Sequence, residues 1–228
     1  RAVLQGHTHF IRHLAIAPNG RWLATGGFDR FIYLWDLQIG KIHQMLADHA
    51  APVEQFAGFV EQIAFSPDSE IVVAYDFNAT ISLWAVATGQ RLDSFRLHHA
   101  TMNTLAFRPD GRQLVAGGAD CALYLWDVSQ PAQAQVSARL AAHRKRISTV
   151  AFSPDGECIA SGDYGGAIHL WHSPNRSQQH GAKLALLTCQ GTVRKVVFSP
   201  DGQTLASASE DGLRLWSVAT GRQIYLLP

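Results

Sequence analysis

His7, Thr25 and Asp29 bring an imidazole, a hydroxyl and a carboxylate into one short stretch, the three groups that assemble when a base activates a nucleophile. His7, His9 and His13, and the pair His98-His99, offer imidazoles that could be tried as metal ligands. No Cys or carboxylate joins them at ligand spacing, and alternate residues of a strand share a face only in part, so no metal is expected. His143-Arg144-Lys145-Arg146 is the one basic cluster, able to grip a phosphate or an acidic partner, or simply to stand in water as a solvated loop. No G-x-x-x-x-G-K, G-x-S-x-G or H-E-x-x-H is present.

The elements that hold these residues are short. Ile11 to Ile16, Trp22 to Thr25 and Phe31 to Leu37 are apolar, aromatic and β-branched runs, too short for helices and the right length for buried strands. Ala17-Pro18-Asn19-Gly20 supplies a Pro with preset φ and a Gly free to take positive φ, so the first two runs fold back as a hairpin. A second turn is expected around Phe28 to Arg30.

This unit returns. Trp35, Trp84, Trp126, Trp171 and Trp216 stand 49, 42, 45 and 45 residues apart, each 16 or 17 residues after a Pro-x-Gly or Pro-x-Ser turn. A Gly-His opening, that turn and a closing Trp-Asp resemble the WD40 repeats, whose roughly 40 to 45 residues build one four-stranded blade. The resemblance covers the chain in five copies, approximately 1–40, 41–89, 90–134, 135–182 and 183–228. It implies an all-β fold, a β-propeller of four-stranded antiparallel blades, either a five-bladed ring or part of a larger one, seven being usual in the family. Arg1 to Gln5, Lys41 to Leu46, Arg91 to Leu97, Gln135 to Leu140, Lys183 to Leu187 and Gln223 to Leu227 read as outer strands, one more than five blades need. APVEQFAGFV in copy two is a blade-connecting insertion, and copy five loses one residue in its second hairpin, leaving its register open.

The resemblance also reinterprets the apparent catalytic trio. WD40 blades bury a hydrogen-bonded tetrad of His, Ser or Thr, Asp and Trp, which copy one matches at His7, Thr25, Asp29 and Trp35. The other copies read as degraded: Phe56, Ala74, Asn78 and Trp84; His98, Ala116, Asp120 and Trp126; His143, Ser161, Gly165 and Trp171; Cys189, Ser207, Asp211 and Trp216. The tetrad is therefore expected to be structural and the catalytic set empty. The five Trp should be buried anchors, and Trp22, outside the register, should matter less.

A formal charge of +1 gives no global field for nucleic acid or an acidic membrane, and no apolar run is long enough to cross a bilayer. Three Cys, far apart and in no C-x-x-C pair, argue against a disulfide framework and for a reducing, cytoplasmic setting. The resemblance implies a non-catalytic scaffold for protein or peptide partners, with no cofactor. The alternatives are a propeller enzyme or small-molecule receptor using the central channel, and a nucleic-acid or histone reader resting on residues 143 to 146. Family contacts fall on the loop entering the first strand and on the residue before the tetrad Asp. Carried over, these are Phe10, Phe28, Phe59, Phe77, His99, Arg144, Arg146 and Tyr164, with Thr8, Thr101, Ala119, Thr192 and Glu210 beside them.

Overall fold

The computed structural model describes residues 3–47, 59–96, 101–141, 143–174 and 181–227. Among these residues twenty strands run in chain order. The first sheet holds β1 (Ile11–Ile16), β2 (Trp22–Gly27), β3 (Phe31–Asp36) and β4 (Lys41–Ala47), and the second β5 (Val60–Phe65), β6 (Ile71–Asp76), β7 (Thr80–Ala85) and β8 (Arg91–Arg96). The third holds β9 (Met102–Phe107), β10 (Gln113–Gly118), β11 (Ala122–Asp127) and β12 (Gln135–Ala141), with one 3-10 turn, Pro131–Gln133, before β12. The fourth holds β13 (Ile147–Phe152), β14 (Cys158–Asp163), β15 (Ala167–His172) and β16 (Lys183–Thr188), and the fifth β17 (Val193–Phe198), β18 (Thr204–Ser209), β19 (Gly212–Ser217) and β20 (Gln223–Leu227). Every sheet is an antiparallel meander in which each strand pairs with its sequence neighbour.

Turn chemistry sets the first hairpin of each sheet. Gly20, Gly111, Gly156 and Gly202 take φ of 69°, 72°, 74° and 72°, where an L side chain is strained, and Ser69 takes φ 66° in the copy that lacks the Gly. In three copies a Ser two residues before the Asp binds its carboxylate at 2.5 Å: Ser66 to Asp68, Ser153 to Asp155 and Ser199 to Asp201. A bulge recurs one step before every repeat Trp, between Leu34 and Trp35, Leu83 and Trp84, Leu125 and Trp126, Leu170 and Trp171, and Leu215 and Trp216. Such a bulge bends the outer edge of a blade and increases its twist. Each Trp keeps the same partner position on the second strand, Leu23, Val72, Leu114, Ile159 and Leu205, so the shortened turn of copy five leaves the register intact.

The chain forms two compact units, residues 1–101 with 130–134, and residues 102–129 with 135–228. In the first unit Trp84 packs with Ala24, Ile32, Leu34 and Leu46 of the first sheet. In the second, Trp171 packs with Val115, Leu123 and Leu125, and Trp216 with Ala160, Ile168 and Leu170. The core of each unit therefore lies between successive sheets, where an indole of one covers the apolar face of the one before it. Trp35, Trp84, Trp126, Trp171 and Trp216 are all buried. Trp22, expected to count for less, is buried as well, in the same cluster as Trp84, with Arg21 over its ring at 4.4 Å. Its neighbours explain this: it opens β2 on the side that faces the second sheet. Val3 to Gln5 form no strand, so the described part of the first expected outer strand is absent.

Candidate functional site

The tetrad of the first sheet is assembled as an unbroken chain. His7 Nδ1 lies 2.7 Å from the Asp29 carboxylate, His7 Nε2 lies 2.7 Å from Thr25 Oγ1, and Trp35 Nε1 donates to the same hydroxyl at 2.8 Å. Asp29 also accepts the Thr8 N–H at 3.1 Å, tying the entry loop to the turn. Gly6 is required by the packing: a Cβ there would stand 2.9 Å from the Trp35 indole. This places every polar atom of the trio in a structural bond, with Tyr33 edge-on to His7 at 4.4 Å.

The fourth sheet corrects the reading of its own repeat. Gly165 does not stand where the carboxylate belongs; Asp163, at the end of β14, supplies it. His143 Nδ1 is 2.8 Å from Asp163, His143 Nε2 is 2.7 Å from Ser161 Oγ, and Trp171 Nε1 donates to Ser161 at 2.9 Å. The second oxygen of Asp163 accepts the N–H groups of Gly165 and Ala167 at 2.8 and 3.0 Å. Asp76 plays that turn role in the second sheet, accepting from Asn78 and Thr80 at 2.9 Å each. A carboxylate two residues nearer the strand thus reaches the same imidazole, a substitution that alignment by the Trp register overlooks. The pairing of Ile147 with Asp163 matches that of Val60 with Asp76, so the two carboxylates hold the same place in their hairpins.

The fifth sheet replaces the imidazole. Cys189 Sγ lies 3.6 Å from Ser207 Oγ, which accepts the Trp216 N–H at 2.8 Å. Asp211 is clamped by Arg214 through both guanidinium nitrogens at 2.5 Å, and these bonds hold its carboxyl well below the usual range. In the third sheet Tyr124 Oη donates to Asp120 at 2.6 Å. Phe56, His98 and His99 lie outside the described residues.

The expected contact residues fall on matching loops of their sheets. The N–H of Phe28 donates to the Phe10 carbonyl at 3.0 Å, that of Phe77 to Phe59 at 3.1 Å and that of Tyr164 to Arg146 at 3.0 Å. Entry loop and second turn are thereby stitched together in the same way three times. In the first unit Phe28, Phe59 and Phe77 form a continuous stack, with centroids 4.8 and 4.9 Å apart. Phe59 is half-buried in the middle, while Phe28 and Phe77 are 43% and 48% exposed and Phe10 is 84% exposed. In the second unit Arg144 and Arg146 are exposed and Arg146 lies over the Tyr164 ring at 5.9 Å. Thr192, by contrast, is buried, with its hydroxyl turned to the Tyr164 carbonyl, and Glu210 is paired with Arg194 at 3.1 Å. Loop placement alone could not separate those two from a free surface.

Among the described residues no helix is long and apolar enough to cross a membrane. The family model for the WD domain, G-beta repeat, matches residues 1–36, 89–127, 134–172 and 181–217, more than half of the chain. Copy two, with the connecting insertion, lies between the matched segments. Periodic tryptophan protein 2 of Arabidopsis thaliana is 33% identical over 116 residues, 50% of this chain and 12% of that protein. WD repeat-containing protein 1 of Bos taurus is 30% identical over 119 residues, 52% of this chain and 19% of that protein. Small ribosomal subunit protein RACK1 of Drosophila melanogaster is 24% identical over 164 residues, 55% of this chain and 52% of that protein. The aligned part of the chain covers between about an eighth and a half of these relatives. Five four-stranded meanders, a tetrad completed in two of them and a family match over most of the length leave one assignment: the chain belongs to the WD40 repeat family.

Proposed function

We propose that this chain is a non-catalytic scaffold that holds protein or peptide partners through the loops entering the first strand and turning between the second and third strands of its blades. The observation that carries the reading is the Phe28–Phe59–Phe77 stack, together with the exposed Phe10 on the entry loop whose carbonyl accepts the Phe28 N–H. Flat aromatic side chains on rigid turns give large contact area for little entropy lost, which is the chemistry of binding hot spots. Arg144, Arg146 and Tyr164 form the corresponding set in the second unit. The groups that resembled a catalytic trio are occupied by one another and by Trp35, which supports a structural role for them. Cys121, Cys158 and Cys189 are unpaired thiols, in keeping with a cytoplasmic setting.

We read the five sheets as one propeller domain or a portion of one. Support comes from the fifth sheet, where Val197, Leu213, Tyr225 and Leu227 are exposed on the face whose counterparts Ala24 and Leu34, or Ala160 and Leu170, receive the next sheet's Trp. The test of the interaction reading is selection of peptides from a displayed random library on the folded chain. Phe28→Ala and Phe77→Ala should weaken the selected peptides about tenfold or more, as loss of hot-spot residues does, with melting unchanged. Peptides indifferent to both substitutions and to Arg146→Ala would remove this face from consideration.

A further inference from the structure

Arg144, Lys145 and Lys183 line one cleft in the second unit, together with His169, Gly165, Ala167 and the committed carboxylate of Asp163. Arg144 and Lys145 follow the tetrad His143 in the entry loop, and Lys183 opens β16. All three are exposed, and none pairs with a carboxylate among the described residues. The Asp163 carboxylate, held by His143 and by the turn N–H groups of Gly165 and Ala167, offsets one of the three positive charges and leaves the cleft with an excess of two. Gly165 lets Lys145 lie across the turn: a Cβ there would meet the Lys145 stem at 2.9 Å.

His169 adds a second, independent observation. It is only 3% exposed, it lies between His143 and Trp171 at 4.2 and 5.4 Å, and its Nδ1 has no hydrogen-bond partner among the described residues. A buried ring nitrogen left without a partner destabilises the fold, and stacking on the Trp does not require it, since Tyr33 and Tyr124 fill the equivalent register in the first and third sheets.

We infer that this cleft binds a phosphoryl group carried by a protein partner, with Lys183, Lys145 and Arg144 as its cationic ligands and His169 as a neutral donor. A phosphate monoester brings a charge of roughly −1.5 to −2 and three strong acceptor oxygens, which matches three cations better than a carboxylate with one charge and two oxygens. An extended polyanion fits less well, because the chain as a whole carries only +1. Burial, then the neighbouring His143 and Lys183, holds His169 at about 4, so the ring is neutral at pH 7 and an anion beside it would raise its pKa. The inference rests on the interaction reading only for the claim that the phosphate arrives on a protein.

The test begins with inorganic phosphate titrated against chloride of equal ionic strength, following the His169 ring signals by nitrogen-15 NMR. A short uncharged peptide bearing one phosphothreonine follows, beside its unphosphorylated form. The expected result is a saturable His169 shift with phosphate, phosphopeptide binding at least tenfold tighter than its counterpart, and about tenfold weakening by Lys183→Gln or Lys145→Gln, both of which should melt as the wild type does. A shift that follows ionic strength alone, or binding unchanged in both lysine variants, overturns the site. Free phosphate binding with no preference for the phosphopeptide overturns its protein-borne source. Neither outcome touches the aromatic loops, whose test uses Phe28 and Phe77.

Discussion

Ser161→Ala removes one oxygen atom from the second unit, and the structure says what that atom does. Trp171 Nε1 can only donate, and the Asp163 carboxylate can only accept. Burial lowers the pKa of His143, so its ring is neutral. The proton on that ring must then sit on Nδ1, facing Asp163, and the Ser161 hydroxyl must donate to Nε2 while accepting from the indole. Alanine strands two buried groups at once, the indole N–H and the imidazole lone pair. At about 1 to 3 kcal/mol for each unsatisfied group, with some relief from relaxation around the small void, the loss should be about 2 to 4 kcal/mol. Asp163→Asn makes the useful contrast. Its amide can still donate to His143 Nδ1 if the ring shifts its proton to Nε2, which leaves only the Ser161 hydrogen without an acceptor, so about 1 kcal/mol is expected. Urea denaturation of both variants gives the order, and nitrogen-15 shifts of the His143 ring give the tautomer. A Ser161→Ala cost below about 0.5 kcal/mol, or a wild-type ring protonated on Nε2, would refute the proton accounting.

Trp35→Ala should cost about 3 to 5 kcal/mol and Trp22→Ala about 3, both as large aromatic truncations in a core; a Trp22 variant that melts like the wild type would deny it the place in the core that its burial gives it. Gly27→Ala should destabilise by more than a surface substitution, because the added Cβ would stand 2.0 Å from the Phe10 carbonyl and pull the entry loop from its turn, seen as lost amide protection at Phe28. Stability should fall as pH drops from about 7 to 4: His169 binds its proton near 6.5 in the unfolded chain and at about 4 in the fold, so the unfolded state takes up protons first, for a loss of up to about 3 kcal/mol. His143 shifts in the same direction, Lys183 reinforces both, and Asp163 opposes them; His169→Tyr should flatten the profile, and an unchanged profile would remove His169 as its source.

Most of the fold was legible because it is written in turn chemistry and in one large side chain per repeat. Pro18, Asn19 and Gly20 can do little but turn, and Trp35 recurs at a spacing that only a repeated blade explains. What escaped was geometry that different residues can reach. Asp163 and Asp29 differ by two places relative to Trp171 and Trp35, yet both carboxylates meet Nδ1 of the blade's imidazole within 2.8 Å. The extra residue that makes each bulge, His43, Leu92, Ser137, Leu184 or Ile224 on the outer strand, has no common type, and Trp22 looked incidental because it lies outside the repeat. Exposure was the hardest property to read. Phe10 and Thr192 stand at the same place before the first strand of their sheets, but the larger side chain stands out and the smaller one folds back onto Tyr164.

The unequal state of the tetrads bears on what the blades are for. In the fifth sheet Ser207 still receives the indole N–H although Cys189 replaces the imidazole, and Asp211 finds a cation in Arg214 instead. The requirement that persists is local: a buried Trp N–H needs an acceptor and a buried-edge carboxylate needs donors, and several side chains meet each need. A catalytic trio would tolerate no such exchange, because nucleophile and base must keep one mutual geometry. Here the carboxylate instead fixes the loop above it, through the Thr8 N–H in the first sheet, the Gly165 and Ala167 N–H groups in the fourth and the Gln190 N–H in the fifth. Those are the loops, or their direct neighbours, that carry Phe10, Tyr164 and Arg144. Loosening the carboxylate should therefore blur the position of surface side chains before it unfolds the blade. Asp29→Asn is expected to weaken peptides selected on the Phe28 face while the chain stays folded, and binding that survives in full would separate the tetrad from the surface it underlies.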